Sequence, residues 1–473
     1  MERTKRLSKN IDMTEGPLLG KIILFVLPMM ATNLLQTAYS AADMMVVSLS
    51  HEANAVGAIG VTGAFINLVL NLFIGFSIGA NVVIARHIGA RDTERASNVV
   101  HTSLILAAVL GVLGGVIGIV ISRPVLHFIG AEENLLDLAV TYTRIYFMGA
   151  PFLALTNYSV AIFRAKGDTK TPLYILTVSG FINVVLNLFF VLAVGLSVEG
   201  VALATAISNL ISAVVLIYFL SRSDDECRFD FKKLRVDKGA LRDVIRIGFP
   251  AGIQGALFSI SNIMIQSSIL RVNDILAPGS TYEPAVEANA AVSNLNGFIY
   301  TATNSICQAS VAFTGQNVGA KKYDRIKTVM IDCYAITTVV ALISSLMLYV
   351  FNEPLLALYG ITDTEGLKGI AYDVAMAKIK YETLTYFLLS VMEVGCGVLR
   401  GLGRSGTSTV ITLIGACLLR IVWLLTVFEH FLTIESIYIS YPVSWFVTAV
   451  VAFIFVKVLL KKERMKAEGA VLQ

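Results

Sequence analysis

A few polar residues stand inside long apolar segments of this sequence, and they are the residues that could do chemistry. Asp43 is the acidic residue of the first apolar segment, and Gln36 and Ser40 share its helix face at i, i+4, i+7 spacing. A carboxylate near amide and hydroxyl oxygens can coordinate a hard cation such as Na+ or accept a proton. The alternative for Asp43 is a structural acid, paired or solvated near one end of its helix.

Later apolar segments of the first half carry amides and hydroxyls at one-turn spacing. Asn183 and Asn187 form such a pair, and so do Thr205 and Asn209, while Asn157 stands alone. Each of these side chains could instead make an ordinary interhelical hydrogen bond. Spacing alone therefore indicates polar helix faces without establishing that they meet.

The second half has fewer acidic residues in its apolar segments. Glu393 is the repeat equivalent of Asn157, and Asn262 and Gln266 form an i, i+4 pair. Glu393 and Arg420 either form a salt bridge with each other or contact a substrate. The candidates for a substrate cavity are accordingly Gln36, Asn157, Asn262, Gln266, Glu393 and Arg420.

Three further charged residues, Lys378, Lys380 and Glu382, lie in the first turns of the tenth apolar segment. Long side chains near a helix end usually extend toward the membrane surface. We therefore expect these three residues to be solvated and structural.

The composition sets the fold class. The chain is 56% hydrophobic and only 15% charged, with a mean hydropathy of +0.74. A bilayer core needs about 20 apolar residues per helix, and many runs reach that length. We predict an all-α integral membrane protein with twelve spans, at residues 22–48, 56–83, 98–122, 138–163, 171–195, 200–221, 243–271, 285–313, 328–351, 374–399, 407–430 and 436–460.

The distribution of Lys and Arg predicts the orientation. Of the 37 basic residues, all but seven lie in, or at the edges of, segments that alternate onto one side of the membrane. Basic residues concentrate in cytoplasmic loops, so both termini are predicted to be cytoplasmic. The opposite side carries Arg123, Arg271 and Lys368, and the predicted spans carry Arg144, Lys378, Lys380 and Arg420.

Other function classes find little support in the sequence. The five cysteines form no CxxC pair, and the five histidines are scattered, so we expect no metal cluster and no enzymatic activity. The glycine-rich stretch 400–408 lacks the GK[ST] ending of a phosphate-binding loop. We expect no cofactor, no cleaved signal peptide and no nucleic-acid partner.

The chain reads as two similar halves. Gly89 and Arg91 recur as Gly319 and Lys321, at an offset of 230 positions, and Pro28 recurs as Pro250. Six spans per half give parallel repeats, which in transporters place the substrate site between the halves. We predict an N-lobe at 1–221, a cytoplasmic linker at 222–242 and a C-lobe at 243–473.

These segments resemble the multidrug and toxic compound extrusion (MATE) family over nearly the whole chain. The resemblance is carried by Pro28 with the stretch from Tyr39 to Asp43, by the connection from Arg164 to Pro172, and by the stretch from Val198 to Thr205. It implies two pseudo-symmetric six-helix lobes around a central cavity. It also implies export of cationic or amphipathic organic compounds by Na+ or H+ antiport.

The pattern is most similar to the bacterial DinF-like branch of that family. The resemblance implies a cation site at Asp43, Asn183, Asn187 and Thr205, with Na+ or H+ as the coupling ion. Position 187 is often Asp in that branch and is Asn here, which leaves one carboxylate. It further implies a bacterial cytoplasmic membrane location, with small organic substrates and membrane lipid as partners. A monomer suffices for a design of two lobes.

Two alternatives stay open. A flippase or exporter of lipid-linked compounds or metabolites belongs to the same superfamily, although such proteins tend to carry more basic residues in the cavity. A channel or sensor is the alternative from a different class. A channel would show passive flux without a driving ion, and an antiporter would not.

Overall fold

The structure is a computed structural model and is helical throughout its described part, in which no strand is present. The all-α prediction is thereby confirmed. The described residues are 10–48, 50, 52, 55–129, 133–280, 282–363 and 365–469.

The chain divides into two compact units. The first unit extends to Gly255 and includes Gly315–Ala320; the second comprises Ala256–Thr314 and the chain from Lys321 onward. The predicted linker and the first part of the seventh span thus cluster with the first unit, while the predicted lobe boundaries stay a prediction. The helices that begin in the first unit are α1 Leu18–Ser48, α2 Ala55–Gly89, α3 Thr93–Ile129, α4 Glu133–Met148, α5 Ala150–Ala165, α6 Lys170–Leu188, α7 Val198–Ser221 and α8 Lys238–Leu276.

The remaining helices begin in the second unit. Its core includes buried residues of the last helix, Ile434–Gly469, and of the two helices on either side of residue 380. In this core the Tyr386 ring packs edge-on against the Trp445 ring. The helices are α9 Pro284–Gly319, α10 Tyr323–Val350, α11 Asn352–Ala357, α12 Leu367–Lys378, α13 Tyr386–Gly401, α14 Ser405–Thr412, α15 Leu419–Trp423, α16 Glu429–Phe431 and α17 Ile434–Gly469.

Nine helices of the described part are long and apolar enough to cross a membrane, and the bent pair α4–α5 makes a tenth. The other two spans are α8 and α9, with 39 and 36 residues. At 1.5 Å per residue each is long enough to cross a bilayer. Amides and hydroxyls recur along α9 and lower its hydropathy.

The fourth predicted span is one helix in the prediction and two in the structure. It breaks at Gly149, and the parts on either side differ in direction by 50°. Pro151 stands in the first turn of α5, where its missing N–H costs no hydrogen bond. A Cβ on Gly149 would lie 3.0 Å from Ala206, so the glycine allows α7 to pass close to the bend.

The tenth and eleventh spans are also less regular than predicted. A π-helical turn, Ile379–Thr383, separates α12 from α13, and two more, Leu413–Leu418 and Leu424–Phe428, interrupt the eleventh span. Such turns are rare in proteins, but those that occur often lie at functional sites. Hydrophobic periodicity gave no signal for them, because a π-turn shifts the helix face without removing apolar residues.

The predicted repeat is visible in the backbone. Arg91 and Lys321 are repeat equivalents, and both have positive φ, at 57° and 56°. A Cβ on Gly89 would lie 1.9 Å from the carbonyl oxygen of Gln316, and one on Gly319 would lie 1.9 Å from that of Arg86. Gly89 of α2 therefore lies against the backbone of α9, and its repeat equivalent, Gly319 of α9, lies against the backbone of α2.

Candidate ion and substrate sites

The helix crossing of α1 and α6 positions the predicted ion site. The Tyr39 ring lies against Gly180, where an added Cβ would come within 2.0 Å of the ring. The Tyr39 hydroxyl donates to the carbonyl of Thr177 at 3.2 Å. Asp43 is one turn beyond Tyr39, and Asn183 and Asn187 follow Gly180 along α6. The small residue thus lets the two polar faces meet.

The four predicted residues form one chain of hydrogen bonds across α1, α6 and α7. The Asn187 amide nitrogen donates to Asp43 Oδ1 and, at 3.3 Å, to Asn183 Oδ1. The Asn183 amide nitrogen lies 3.5 Å from Thr205 Oγ1, whose hydroxyl donates to the carbonyl of Val201 at 2.9 Å. Asp43 therefore receives an amide donor, and no neutralising base is part of this chain.

One oxygen in this cluster has no hydrogen-bond partner. Asn187 is fully buried. Both of its side-chain hydrogen bonds are donated by the amide nitrogen, and its Oδ1 has no hydrogen-bond partner. An unsatisfied buried carbonyl costs about 1–3 kcal/mol. An amide oxygen beside a carboxylate is a suitable donor set for a hard cation. The arrangement can bind one monovalent cation or hold one proton on Asp43.

The charge of the site limits what it can hold. Within the described residues, no group of three or more His, Cys, Asp or Glu side chains could hold a metal ion. A single carboxylate balances a single positive charge. The chemistry therefore fits a transported monovalent ion better than a tightly held divalent one.

Two tyrosines of α4 are neighbours of this site that sequence spacing did not single out. Tyr142 and Tyr146 lie within electrostatic range of Asp43, and their rings are 6.1 Å apart. Tyr142 is buried. Their spacing of one helical turn was visible in the sequence, but aromatic residues are so common in spans that it carried no signal.

The other polar candidates of the first half stay outside the hydrogen-bond chain. Gln36 is exposed, and its carbonyl accepts from the Ser40 hydroxyl at 3.1 Å. The Asn157 amide donates to the carbonyl of Leu153 in its own helix at 3.0 Å. Both are placed as single polar groups on helix faces, and their role as substrate contacts stays a prediction.

The second unit contains a buried charged cluster that the sequence analysis missed. Lys378 is only 2% exposed and Glu382 only 6%, so the expectation that they are solvated is wrong. Lys380 is exposed, as expected. The Lys378 ammonium donates to Asn289 Oδ1 at 2.8 Å, to the Asn289 carbonyl at 3.2 Å and to Ser293 Oγ. Its hydrogen-bonding capacity is filled by neutral groups of α9.

Glu382 stands in the π-turn on the other side of the same cluster. Its Oε1 accepts from Asn296 at 3.3 Å, and Thr383 donates to Asn296 Oδ1 at 2.9 Å. Its Oε2 is buried without a hydrogen bond and lies 3.7 Å from the Lys378 ammonium. The pair balances its own charge inside the unit.

Of the predicted α8 pair, one residue joins this cluster. The Asn289 amide donates to Gln266 Oε1 at 3.3 Å, which connects α8 through α9 to Lys378. Asn262 is exposed. Only Gln266 is thus brought together with buried charges.

The salt bridge considered between Glu393 and Arg420 is absent, and each residue has another partner. Glu393 pairs with Arg400 of the same helix at 4.0 Å. Arg420 lies over the Tyr441 ring, 4.1 Å from its centroid, and donates to Ser444 at 3.2 Å. The prediction overlooked Arg400 because it placed this residue in a loop, whereas α13 continues to Gly401 and buries it.

Comparison with known proteins identifies the family. A sequence model described as MatE matches residues 28–189 and 260–425, one stretch in each half of the chain. The two matched stretches support the predicted repeat.

Individual relatives match over most of the chain. The probable multidrug resistance protein YoeA of Bacillus subtilis (strain 168) is 27% identical over 451 residues, covering 93% of this chain and 94% of its own. An FAD transporter of Shewanella oneidensis is 24% identical over 375 residues, covering 77% and 80%. A solved outward-facing structure of a multidrug resistance MATE family transporter superimposes with a TM-score of 0.87 at 22% identity, covering 97% of this chain and 99% of that one. This likeness confirms the predicted fold class of twelve transmembrane helices.

Proposed function

Because the chain belongs to the MatE family, we propose that it is a secondary active antiporter that exports amphipathic or cationic organic compounds in exchange for Na+ or H+. The observation that carries the proposal is the single Asp43 carboxylate, hydrogen-bonded by Asn187 beside a buried, unpaired amide oxygen. A site of this charge can alternate between an empty and a cation-loaded form. The location would be a bacterial cytoplasmic membrane, with both termini cytoplasmic.

The mechanism rests on differential binding. A ligand shifts a conformational equilibrium only by the difference in its affinity for the two states. A cation or proton at Asp43 would neutralise the carboxylate and change its bond to Asn187, which ties α1 to α6. Inward cation movement is favoured by an inside-negative membrane potential, by about 2.3 kcal/mol per charge per 100 mV. This energy would drive the export of substrate.

The relatives support the proposed substrate class. YoeA is named for multidrug resistance, and its similarity extends over almost the full chain. The candidate contacts are Gln36, Asn157, Asn262, Gln266, Glu393 and Arg420, as predicted from the sequence. A monomer suffices for this design, and assignment to the DinF-like branch is part of the proposal.

A second candidate is export of an anionic metabolite. It is favoured by the similarity to an FAD transporter and by the buried Lys378 and Arg420 of the second unit. The Lys378 donors are occupied by α9 groups, which makes this the weaker candidate.

The test is transport by the purified protein in liposomes. Efflux of ethidium would be followed with a Na+ gradient and with a pH gradient imposed separately, and Asp43→Asn would be assayed in parallel. Transport driven by one gradient and lost in the variant would support antiport and identify the ion.

Three outcomes would count against the proposal. Ion-driven efflux retained by Asp43→Asn would remove the role of Asp43. Flux independent of either gradient would indicate a channel. Absence of ethidium transport, with FAD transported instead, would favour the second candidate.

A further inference from the structure

The segment between α7 and α8 carries an exposed strip of alternating apolar and basic residues. Phe231, Leu234 and Val236 expose 67%, 45% and 47% of their surface. The basic residues Lys232, Lys233 and Arg235 are interleaved with them and are also exposed. We call residues 231–236 the basic–apolar strip. Exposed apolar side chains next to cations are typical of a surface that lies on a membrane.

The strip has a fixed position on the first unit. The backbone N–H of Asp230 donates to His101 Nε2 at 3.0 Å, while His101 Nδ1 donates to the carbonyl of Ser97 at 2.7 Å. At the other end, the N–H of Asp237 donates to Thr102 Oγ1 at 3.0 Å. Both ends are therefore anchored to α3, and the strip is held in place.

Aromatic stacking adds to this anchoring. Phe229 stacks on the His101 ring at 5.3 Å, and Phe231 packs edge-on against Phe229 at 4.7 Å. His101 is only 2% exposed. The stack fixes the direction in which the exposed Phe231 ring leaves the protein surface.

The strip borders a cavity of about 600 Å³ at the start of α3. The Asp92 side chain already accepts from the backbone N–H of Arg95 at the start of α3, so the groups that attract an anion to this cavity are the basic side chains of the strip. Arg235 reaches across and donates to Asn98 Oδ1 at 3.2 Å. One carboxylate, Glu94, opposes the three basic side chains. The cavity is lined by Thr93, Glu94, Ser97, Asn98, His101, Lys232, Lys233, Leu234 and Arg235.

We propose that the basic–apolar strip and this cavity bind the headgroup of an anionic phospholipid of the cytoplasmic leaflet, with the exposed apolar side chains entering the membrane interface. The charge distribution predicts that this segment is cytoplasmic, the side on which anionic lipids attract basic residues. A phosphate diester carries the negative charge that the cavity complements. The three apolar side chains are the reason to choose a lipid over a soluble phosphate.

The experiment uses full-length protein in nanodiscs of phosphatidylcholine with or without phosphatidylglycerol. A bimane label at Val236→Cys reports insertion through quenching by spin-labelled phosphatidylglycerol. The label is selective because all five native cysteines are buried. Burial and the nearby Asp225 charge also raise the pKa of the Cys227 thiol, which is the cysteine closest to the strip. We expect stronger quenching by phosphatidylglycerol than by phosphatidylcholine labelled at the same position.

Retention of phosphatidylglycerol by the purified protein would be measured by native mass spectrometry. The variant Lys232→Gln/Lys233→Gln/Arg235→Gln should lose affinity about five-fold for each neutralised residue at low salt. The matched control, Lys457→Gln/Lys461→Gln/Lys462→Gln, removes the same charge from α17 and should keep the affinity of the wild-type protein for phosphatidylglycerol. Phe231→Ser/Val236→Ser should weaken the quenching without changing net charge.

The proposal is overturned if the control loses as much affinity as the strip variant, or if the label is quenched equally by both lipids. It is also overturned if inorganic phosphate at millimolar concentration displaces phosphatidylglycerol, because that would make the cavity a site for a soluble anion.

Discussion

The two units bury polar charge in different ways. In the first unit, Asp43 accepts from the Asn187 amide, and no base is part of the hydrogen-bond chain that continues through Asn183 to Thr205. In the second unit, the Lys378 ammonium lies 3.7 Å from Glu382 Oε2. Amides of α9 contact this pair and the π-turn that follows α12. A carboxylate without a counter-charge attracts a cation, whereas a carboxylate paired with an ammonium group is already neutralised.

The two sites should therefore respond differently to the removal of a charge. Charge removal at the first site should alter ion coupling more than stability. Charge removal at the second should alter stability first, because one partner would be left buried without its counter-charge.

The largest effect is expected for Lys378→Met. The variant leaves Glu382 buried without a counter-ion and leaves Asn289 and Ser293 without their donor, so we expect a loss of about 3–5 kcal/mol in stability. Thermal unfolding in detergent would measure it. The double variant Lys378→Met/Glu382→Leu should recover much of the loss. Equal melting temperatures for the single and double variants would contradict the pairing.

The next largest effect is expected for Gly180→Ala. The new Cβ would displace the Tyr39 ring, separate Asp43 from Asn187, and cost about 1–3 kcal/mol. Reduced stability and reduced ion coupling should appear together. Gly20→Ala is the matched control on α1, since nothing lies within 4 Å of its added Cβ. If both variants behave alike, the α1–α6 crossing does not position the site.

A smaller change, measured in the ion dependence of transport, is expected for Asn187→Asp. It places a second carboxylate next to Asp43, and two like charges at this distance favour uptake of an extra cation or proton. The driving-ion concentration at half-maximal transport should fall about tenfold, equivalent to about 1.4 kcal/mol. Asn183→Asp, one turn away, provides the comparison. An unchanged ion dependence in Asn187→Asp would argue against direct contact between residue 187 and the ion.

The smallest effect is expected for Asn157→Ala. Its amide bonds to its own helix at Leu153, apart from the Asp43 chain, so the ion dependence of transport should stay within about 0.5 kcal/mol of wild type. A change in substrate selectivity alone would agree with its predicted cavity role. Loss of ion coupling would instead place Asn157 in the ion site and weaken the distinction between the two sets of residues.

Part of the first site could be predicted from sequence. Polar residues are costly in apolar spans, so Asp43, Asn183, Asn187 and Thr205 were among several polar residues that stood out, and the resemblance to the MATE family selected these four. The structure joins them by hydrogen bonds. The close approach at Gly180 was not predictable, because a glycine in a span has several uses. The direction of the Asn187 amide also depends on neighbours that spacing does not reveal.

The second site escaped prediction because the helix boundary was misplaced. The tenth span begins at Leu367 instead of residue 374, so Lys378 and Glu382 lie in its interior and not at its end. The same kind of error at the other end hid the pairing of Arg400 with Glu393. A shift of a few residues at a boundary thus changed a charged residue from solvated to buried.

The reciprocal contact of Gly89 and Gly319 has a consequence for the origin of the chain. In a symmetric homodimer, residue i of one copy meets residue j of the other, and j meets i. Gly89 meets Gln316 and Gly319 meets Arg86, and both pairs are related by the same offset of 230 positions. The crossing therefore has the form of an isologous interface enclosed within one polypeptide. An ancestor with a single MatE repeat would have needed a second copy of itself to cover this glycine surface.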